Sequence, residues 1–176
     1  MTEKTNKTWH ILGAGAIGCL WACHIHGDGR QVHLLLSPRN ATPANGKVKL
    51  YLQPPRGARK NVAVNASTAT ELVSPINNLI VSTKATQVLD ALHSVDHCIA
   101  PGARIILLLN GMGFQHAVIE KFSNCKVFAG VTTDGAWLKR PFAVVQAGKG
   151  MTTLGALSTT ASTEDAVALL HDLQNP

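Results

Sequence analysis

Three glycines in the stretch ILGAGAIGCLWA, residues 11–22, stand in GxGxxG spacing at Gly13, Gly15 and Gly18. That spacing lets a chain turn sharply, lets backbone approach a pyrophosphate and lets the following helix pack on the preceding strand, with phosphates facing the helix N-terminus. The pattern alone is weak, since any tight turn favours glycine. Its setting, directly after a short apolar strand and directly before an amphipathic helix, makes it a dinucleotide signal. Gly13, Ala14, Gly15, Ala16, Ile17 and Gly18 are the expected phosphate loop.

The residue about 20 positions after such a loop separates the two nicotinamide dinucleotides: a carboxylate for the ribose hydroxyl of NAD, small or basic residues for the 2′-phosphate of NADP. Ser37 stands there and Arg39 follows. Residues 29–70 hold seven Lys and Arg and no Asp or Glu. The reading is NADP(H), with Ser37 and Arg39 as candidates for the phosphate, a solvated loop arginine being the plainer alternative. Further along, Lys84 in STKATQ and Asn110 in NGMG each follow an apolar run, at the strand ends where open α/β sheets bind ligands. An amide donates and accepts at once, so Asn110 suits a carboxamide or a hydroxyl. A surface lysine and a turn asparagine are the bland alternatives.

These residues need elements to position them. Short apolar runs alternate with amphipathic ones, the pattern of βαβ units around a mainly parallel sheet. Strands are expected over 8–12, 31–36, 78–83 and 104–109, and helices over 16–26 and 87–93. A hairpin over 47–53 and 60–65, joined by QPPRGAR, follows the second strand, with loop as the other reading. The short runs 126–133, 143–146 and 151–154 read as antiparallel strands closing the far edge. Thr163 is the expected cap of a last helix to about residue 173. The fold class is α/β, a Rossmann-like doubly wound sheet with antiparallel edge strands, in one domain spanning residues 1–176.

Composition bounds the rest. The 176 residues are 45% hydrophobic, with net charge +6. No apolar run reaches the roughly 18 residues of a membrane span, and the opening MTEKTNKTWH carries no signal-peptide pattern. A cytoplasmic protein with reduced thiols is expected, without nucleic-acid or membrane partners: the basic excess sits in one segment, and its one nearby aromatic, Tyr51, is thin for base stacking. Cys19 and Cys23 beside His24 and His26, and His93 and His97 beside Cys98, lack zinc spacing and are assigned to packing and helix-end roles. No metal is expected.

Three segments in order, GAGAIG, VSTKATQV and LLNGMG, resemble ketopantoate reductase (2-dehydropantoate 2-reductase), and the resemblance continues through VTTDGAW and QAGKGMTTLG. It implies a Rossmann domain that binds NADPH and hydride transfer to the ketone of 2-dehydropantoate, giving pantoate for pantothenate synthesis. Residue by residue it implies Gly13 to Gly18 as phosphate loop, Lys84 at the cofactor site, Asn110 beside the nicotinamide and touching substrate, and Ala136 contacting cofactor through its backbone. The family's arginine usually closes the second strand, where this chain has Ser37 with Arg39 two residues on. Asp134 stands where some relatives have histidine and receives no role. A helical second domain, which in the family carries the general-acid lysine, is expected to be absent, so the chain alone should bind NADPH, turn over poorly and self-associate through an exposed interface. Open alternatives are an NADPH-sensing module without catalysis and the cofactor domain of another NADP-dependent 2-oxoacid or hydroxyacid dehydrogenase.

Overall fold

The computed structural model describes residues 8–38 and 43–174. In chain order its elements are β1 (Trp9–Leu12), α1 (Ala16–Gly27), β2 (Val32–Leu36), β3 (Lys47–Gln53), β4 (Lys60–Thr68), β5 (Ile76–Val81), α2 (Val88–Val95), β6 (Ile99–Leu108), α3 (Gln115–Lys121), β7 (Lys126–Thr132), β8 (Gly135–Arg140), β9 (Ala143–Gly148), β10 (Thr152–Ala156) and α4 (Thr163–Gln174). All ten strands join one sheet in the order β10-β7-β6-β5-β1-β2-β4-β3-β9-β8. From β7 to β4 the neighbours run parallel. The chain leaves β1 toward β2 on one side and returns to β5 on the other, so strand order reverses at β1. In such sheets the crevice beyond the carboxyl ends of the strands at that reversal is the ligand position.

Strand residues alternate between two cores. Ile11, Leu34, Ile80 and Phe128 pack with Leu20 and Ile25 of α1 and Leu169 and Leu173 of α4. Leu35, Leu79, Val81 and Ile105 face the other way, onto Val88 and Leu92 of α2 and Val118 of α3. Helices thus cover both faces, as the near-continuous apolar runs of the central strands require.

Beyond β2 the sheet curls around α1. Val48, Leu50 and Leu52 of β3, Val64 of β4 and Val144 of β9 turn inward to the cluster that holds α1. From Gly18 to Ile25 only His24 of this helix is not fully buried. An apolar circumference on a helix calls for such an enclosure. Burial pushes the thiols of Cys19 and Cys23 up to about 12, which fits their assignment to packing.

Several expectations are corrected. β7 pairs parallel to β6, so only β10 closes that edge in antiparallel fashion. β9, with a strand not foreseen, β8, forms a hairpin at the opposite edge, against β3. The predicted hairpin over β3 and β4 is present, with β4 running on to pair with β2. α3 was not foreseen either. Ser162 caps α4: its hydroxyl accepts from the Asp165 N–H at 3.1 Å while its own N–H donates to that carboxylate at 3.0 Å, so Thr163 is already inside the helix. No helix among the described residues is long and apolar enough to cross a membrane.

Candidate dinucleotide site

The glycine loop joins β1 to α1 and is stapled between its neighbours. The Gly13 N–H donates to the Leu35 carbonyl of β2 at 3.3 Å, and the Ser82 N–H donates to the Leu12 carbonyl at 2.9 Å. The Ser82 hydroxyl donates to the Gly13 carbonyl at 3.0 Å. Gly13 has φ +112°, and a Cβ there would lie 3.1 Å from the Ser82 carbonyl and from Cγ2 of Thr83. Only glycine meets both constraints. At Gly18 the demand is steric: a Cβ would stand 2.0 Å from the Gly13 carbonyl oxygen. The third glycine therefore sets how closely α1 approaches β1.

The start of α1 is built for an anion. Gly15 is its N-cap, without a side-chain cap bond, and the first turn contains no acidic residue. The first N–H groups of any helix lack intrahelical partners, and with the helix dipole they favour negative charge. The Cys19 N–H donates to the Gly15 carbonyl at 2.9 Å, closing the first turn of the helix. Ala16, Ile17 and Gly18 carry the N–H groups ahead of it. Among the described residues, the buried Thr83 hydroxyl beside Gly13 has no hydrogen-bond partner. Buried hydroxyls are normally satisfied, so an orphan here marks a position for a ligand group.

Lys84 is exposed and caps the short 3-10 turn Ala85–Gln87 after β5; the Gln87 N–H closes that turn on the Lys84 carbonyl at 2.8 Å. Asn110 is exposed just past β6, and the two turns touch: a Cβ on Gly111 would stand 2.9 Å from the Ala85 Cβ. Gln115 holds the NGMG loop, accepting from the Gly113 N–H at 2.9 Å and donating to the Gly111 carbonyl at 3.1 Å. The structure thus brings the glycine loop, Thr83, Lys84 and Asn110 to one sheet edge. Ser37 directly follows β2, the next strand over, and is exposed. Arg39 lies outside the described residues. Ala136 sits on β8, opposite Gln146, and its side chain packs toward α1.

Two features escaped the sequence reading. Asp134 ties the end of β7 to the β8–β9 hairpin: one carboxylate oxygen accepts from Gln146 at 3.2 Å and the Gly150 N–H at 2.9 Å, the other from the Thr132 hydroxyl at 3.0 Å. This gives the residue a positioning role. The tip of that hairpin also reaches the glycine loop, where Ala14, Leu138, Arg140, Pro141 and Phe142 line a cavity of about 320 Å³. Phe142 has φ +63°, which is strained for a bulky side chain and is held by packing against the α1 cluster. The clusters of Cys and His noted in the sequence form no metal-binding group among the described residues.

The chain is 32% identical over 148 residues to the 2-dehydropantoate 2-reductase of Pyrococcus abyssi, covering 83% of this chain and 46% of that protein. It is 30% identical over 158 residues to the enzyme of that name from Vibrio cholerae, covering 90% and 50%. It spans about half the length of the curated relatives it matches. Among solved structures, a 2-dehydropantoate 2-reductase from Geobacter metallireducens superposes with a TM-score of 0.78 at 22% identity, over 94% of this chain and 54% of that one. A D-mandelate dehydrogenase solved with NADH and anilino(oxo)acetate also reaches 0.78, at 26% identity over 94% and 53%. The family model described as Ketopantoate reductase PanE/ApbA matches residues 9–159, and the chain belongs to that family.

Proposed function

We propose that the chain is the NADP(H)-binding half of a 2-dehydropantoate reductase. The observation that carries this reading is the uncapped, acid-free start of α1 behind the Gly13–Gly18 turn, adjoining the orphaned Thr83 hydroxyl. Those residues fit a dinucleotide: backbone N–H groups of residues 16–18 hold the pyrophosphate, Gly15 lets it approach, and Thr83 offers a hydroxyl beside it. Ser37, without a carboxylate after β2, leaves room for a 2′-phosphate, and Arg39 is the proposed cation for it. The bound dinucleotide supplies a hydride. Lys84 would contribute positive charge at the strand ends, the Asn110 amide would orient the carboxamide or the substrate hydroxyl, and Ala136 would contact the cofactor through its backbone.

Reduction of a ketone also needs a proton donor for the developing alkoxide and a cleft closed to water. No residue of this edge is assigned as that donor. Alone, the chain should bind NADPH and reduce 2-dehydropantoate far more slowly than the roughly 1 to 1,000 per second of ordinary enzymes. Fluorescence titration with NADPH and NADH, followed by a steady-state assay, tests both halves. Tight NADPH binding that Arg39→Asp abolishes supports the reading; equal affinity for the two dinucleotides removes the NADP assignment, and ordinary turnover removes the half-site. The likeness to D-mandelate dehydrogenase supports a second reading, a reductase of another 2-oxoacid, which the same assay distinguishes by substrate.

A further inference from the structure

The β9–β8 end of the sheet gathers positive charge. Residues 47–68 and 135–148 contain Lys47, Lys49, Arg56, Arg59, Lys60, Lys139 and Arg140 and not one Asp or Glu. The fold brings these two stretches together, pairing Tyr51, Leu52 and Gln53 of β3 with Ala143, Val144 and Val145 of β9. Among the described residues the ion pairs fall elsewhere, on Asp28, Asp96, Asp165 and Asp172. Like charges have been gathered here without counter-charges.

They converge on a cavity of about 200 Å³ whose lining includes Tyr51, Arg59, Lys60, Asn61, Lys139 and Arg140. The four cations come from two separate places, Arg59 and Lys60 at the entry to β4 and Lys139 and Arg140 at the end of β8. Arg140 lies 4.7 Å from the centre of the Tyr51 ring, and Lys49 lies 5.5 Å from it, so the ring helps to hold both. The inward alternate residues of these strands are committed to the α1 core, which fixes the outward register of Tyr51 and Lys139. Assembling uncompensated cations works against folding, and an anion seated among them reverses that effect.

We infer that this cavity binds a compact polyanion, a run of linked phosphate groups such as the polyphosphate end of a nucleotide or a free polyphosphate. Guanidinium groups engage phosphate oxygens through paired N–H donors and lysines add point charge, while the Asn61 amide offers a neutral hydrogen bond. The volume suits a few linked phosphates and is too small for a peptide helix. Single-stranded nucleic acid would need a row of free aromatic faces, and here the Tyr51 ring already carries Arg140. The cavity's lining includes no residue of the glycine loop and shares one residue, Arg140, with the cavity at that loop.

Calorimetric titration of the chain with sodium tripolyphosphate, with and without saturating NADPH, tests the inference. One saturable site is expected, with affinity falling about tenfold or more in the double variant Arg59→Gln/Lys139→Gln, whose side chains are both exposed. Lys121→Gln, on α3 against the other core, should leave it unchanged. Tripolyphosphate should also raise the melting temperature more than sodium chloride of equal ionic strength does. No saturation, equal loss in Lys121→Gln, or a melting shift that salt alone reproduces would overturn the site. Displacement of tripolyphosphate by NADPH would make the cavity part of the cofactor site. Affinity that climbs with the length of an oligonucleotide would make it a nucleic-acid surface. AMP, ATP and free tripolyphosphate in parallel distinguish the nucleotide from the polyphosphate source.

Discussion

Gly15 and Gly18 stand three residues apart and should fail in different ways when replaced by alanine. At Gly18 the added Cβ would meet the Gly13 carbonyl oxygen at 2.0 Å and the Ser82 hydroxyl at 2.5 Å. The hydroxyl can rotate away, but the carbonyl is backbone and cannot. The start of α1 must therefore move off β1, an overpacking that typically costs about 1–3 kcal/mol. For a chain of this length that is a drop of roughly 2–12 °C in melting temperature. At Gly15 φ is −74° and the nearest atom to a new Cβ is the Ser82 carbonyl oxygen at 4.0 Å, so the fold tolerates the methyl. Replacing glycine by alanine at a helix N-cap costs roughly 0.5–1 kcal/mol, about 1–4 °C. The methyl stands on the exposed side of the turn, where backbone must reach the pyrophosphate, so Kd for NADPH should rise about tenfold or more. Thermal melts and NADPH titrations of both variants decide the matter. If Gly15→Ala melts as low as Gly18→Ala, or Gly18→Ala melts like the parent, the division of labour drawn here is wrong.

Asp134→Ala leaves the buried Gln146 amide and the Gly150 N–H without their acceptor, a loss of about 1–3 kcal/mol, and amide exchange should speed up across β8 and β9 before other strands. Uniform exchange would argue against a local tie. Buried His10, stacked on His33 with ring centroids 5.5 Å apart, is held down to about 4, by burial first and by His33 second. An unfolded histidine titrates near 6.5, so below that pH the unfolded chain takes the extra proton; stability falls with pH through the window from 6.5 to 4, by about 3 kcal/mol in full. Urea midpoints at about pH 7.5 and about pH 4.5 should differ less in His10→Leu than in the parent, and equal differences would refute the assignment. Burial raises the thiols of Cys19 and Cys23 to about 12, so both should resist a disulfide reagent at mildly alkaline pH until the chain is unfolded. Rapid labelling of the native chain at either one would contradict the enclosure of α1.

What could be read from the sequence was whatever rests on local contrast. The strand, glycine turn and helix around Gly13 announce themselves because apolar period and turn residues change within a few positions, and the same holds for the runs ending at Lys84 and Asn110. Pairing direction was not local: β7 looks like any short edge strand until β6 is seen beside it. α3 does carry a signal in Phe114, Val118 and Phe122, spaced one helical turn apart and all buried, but a helix of seven residues gives the pattern too little length to stand out. β8 alternates Ala136 and Leu138 inward with Trp137 outward, a pattern too short to stand out beside glycine and proline. The role of Asp134 depends on Gln146 and Gly150, which approach it only when the hairpin folds back. Likewise the acid-free segment reads in sequence as one phosphate signal, whereas the fold carries Lys47 to Lys60 onto β3 and β4, beside β9.

The enclosure of α1 also has a history in time. The helix ends at Gly27, yet its outer cover includes β9, whose residues 143–145 pair with residues 51–53 of β3. A ribosome adding about 5–20 residues per second delivers that cover roughly 5–25 s after the helix it must wrap. In that interval the apolar circumference of α1 has only part of its final shelter. Contacts this distant in sequence slow folding, because the long loop must close before the contact repays it. The nascent chain therefore passes through a stage in which β1, the glycine turn and α1 are already synthesised and the helix is still open to chaperones or to a neighbouring chain.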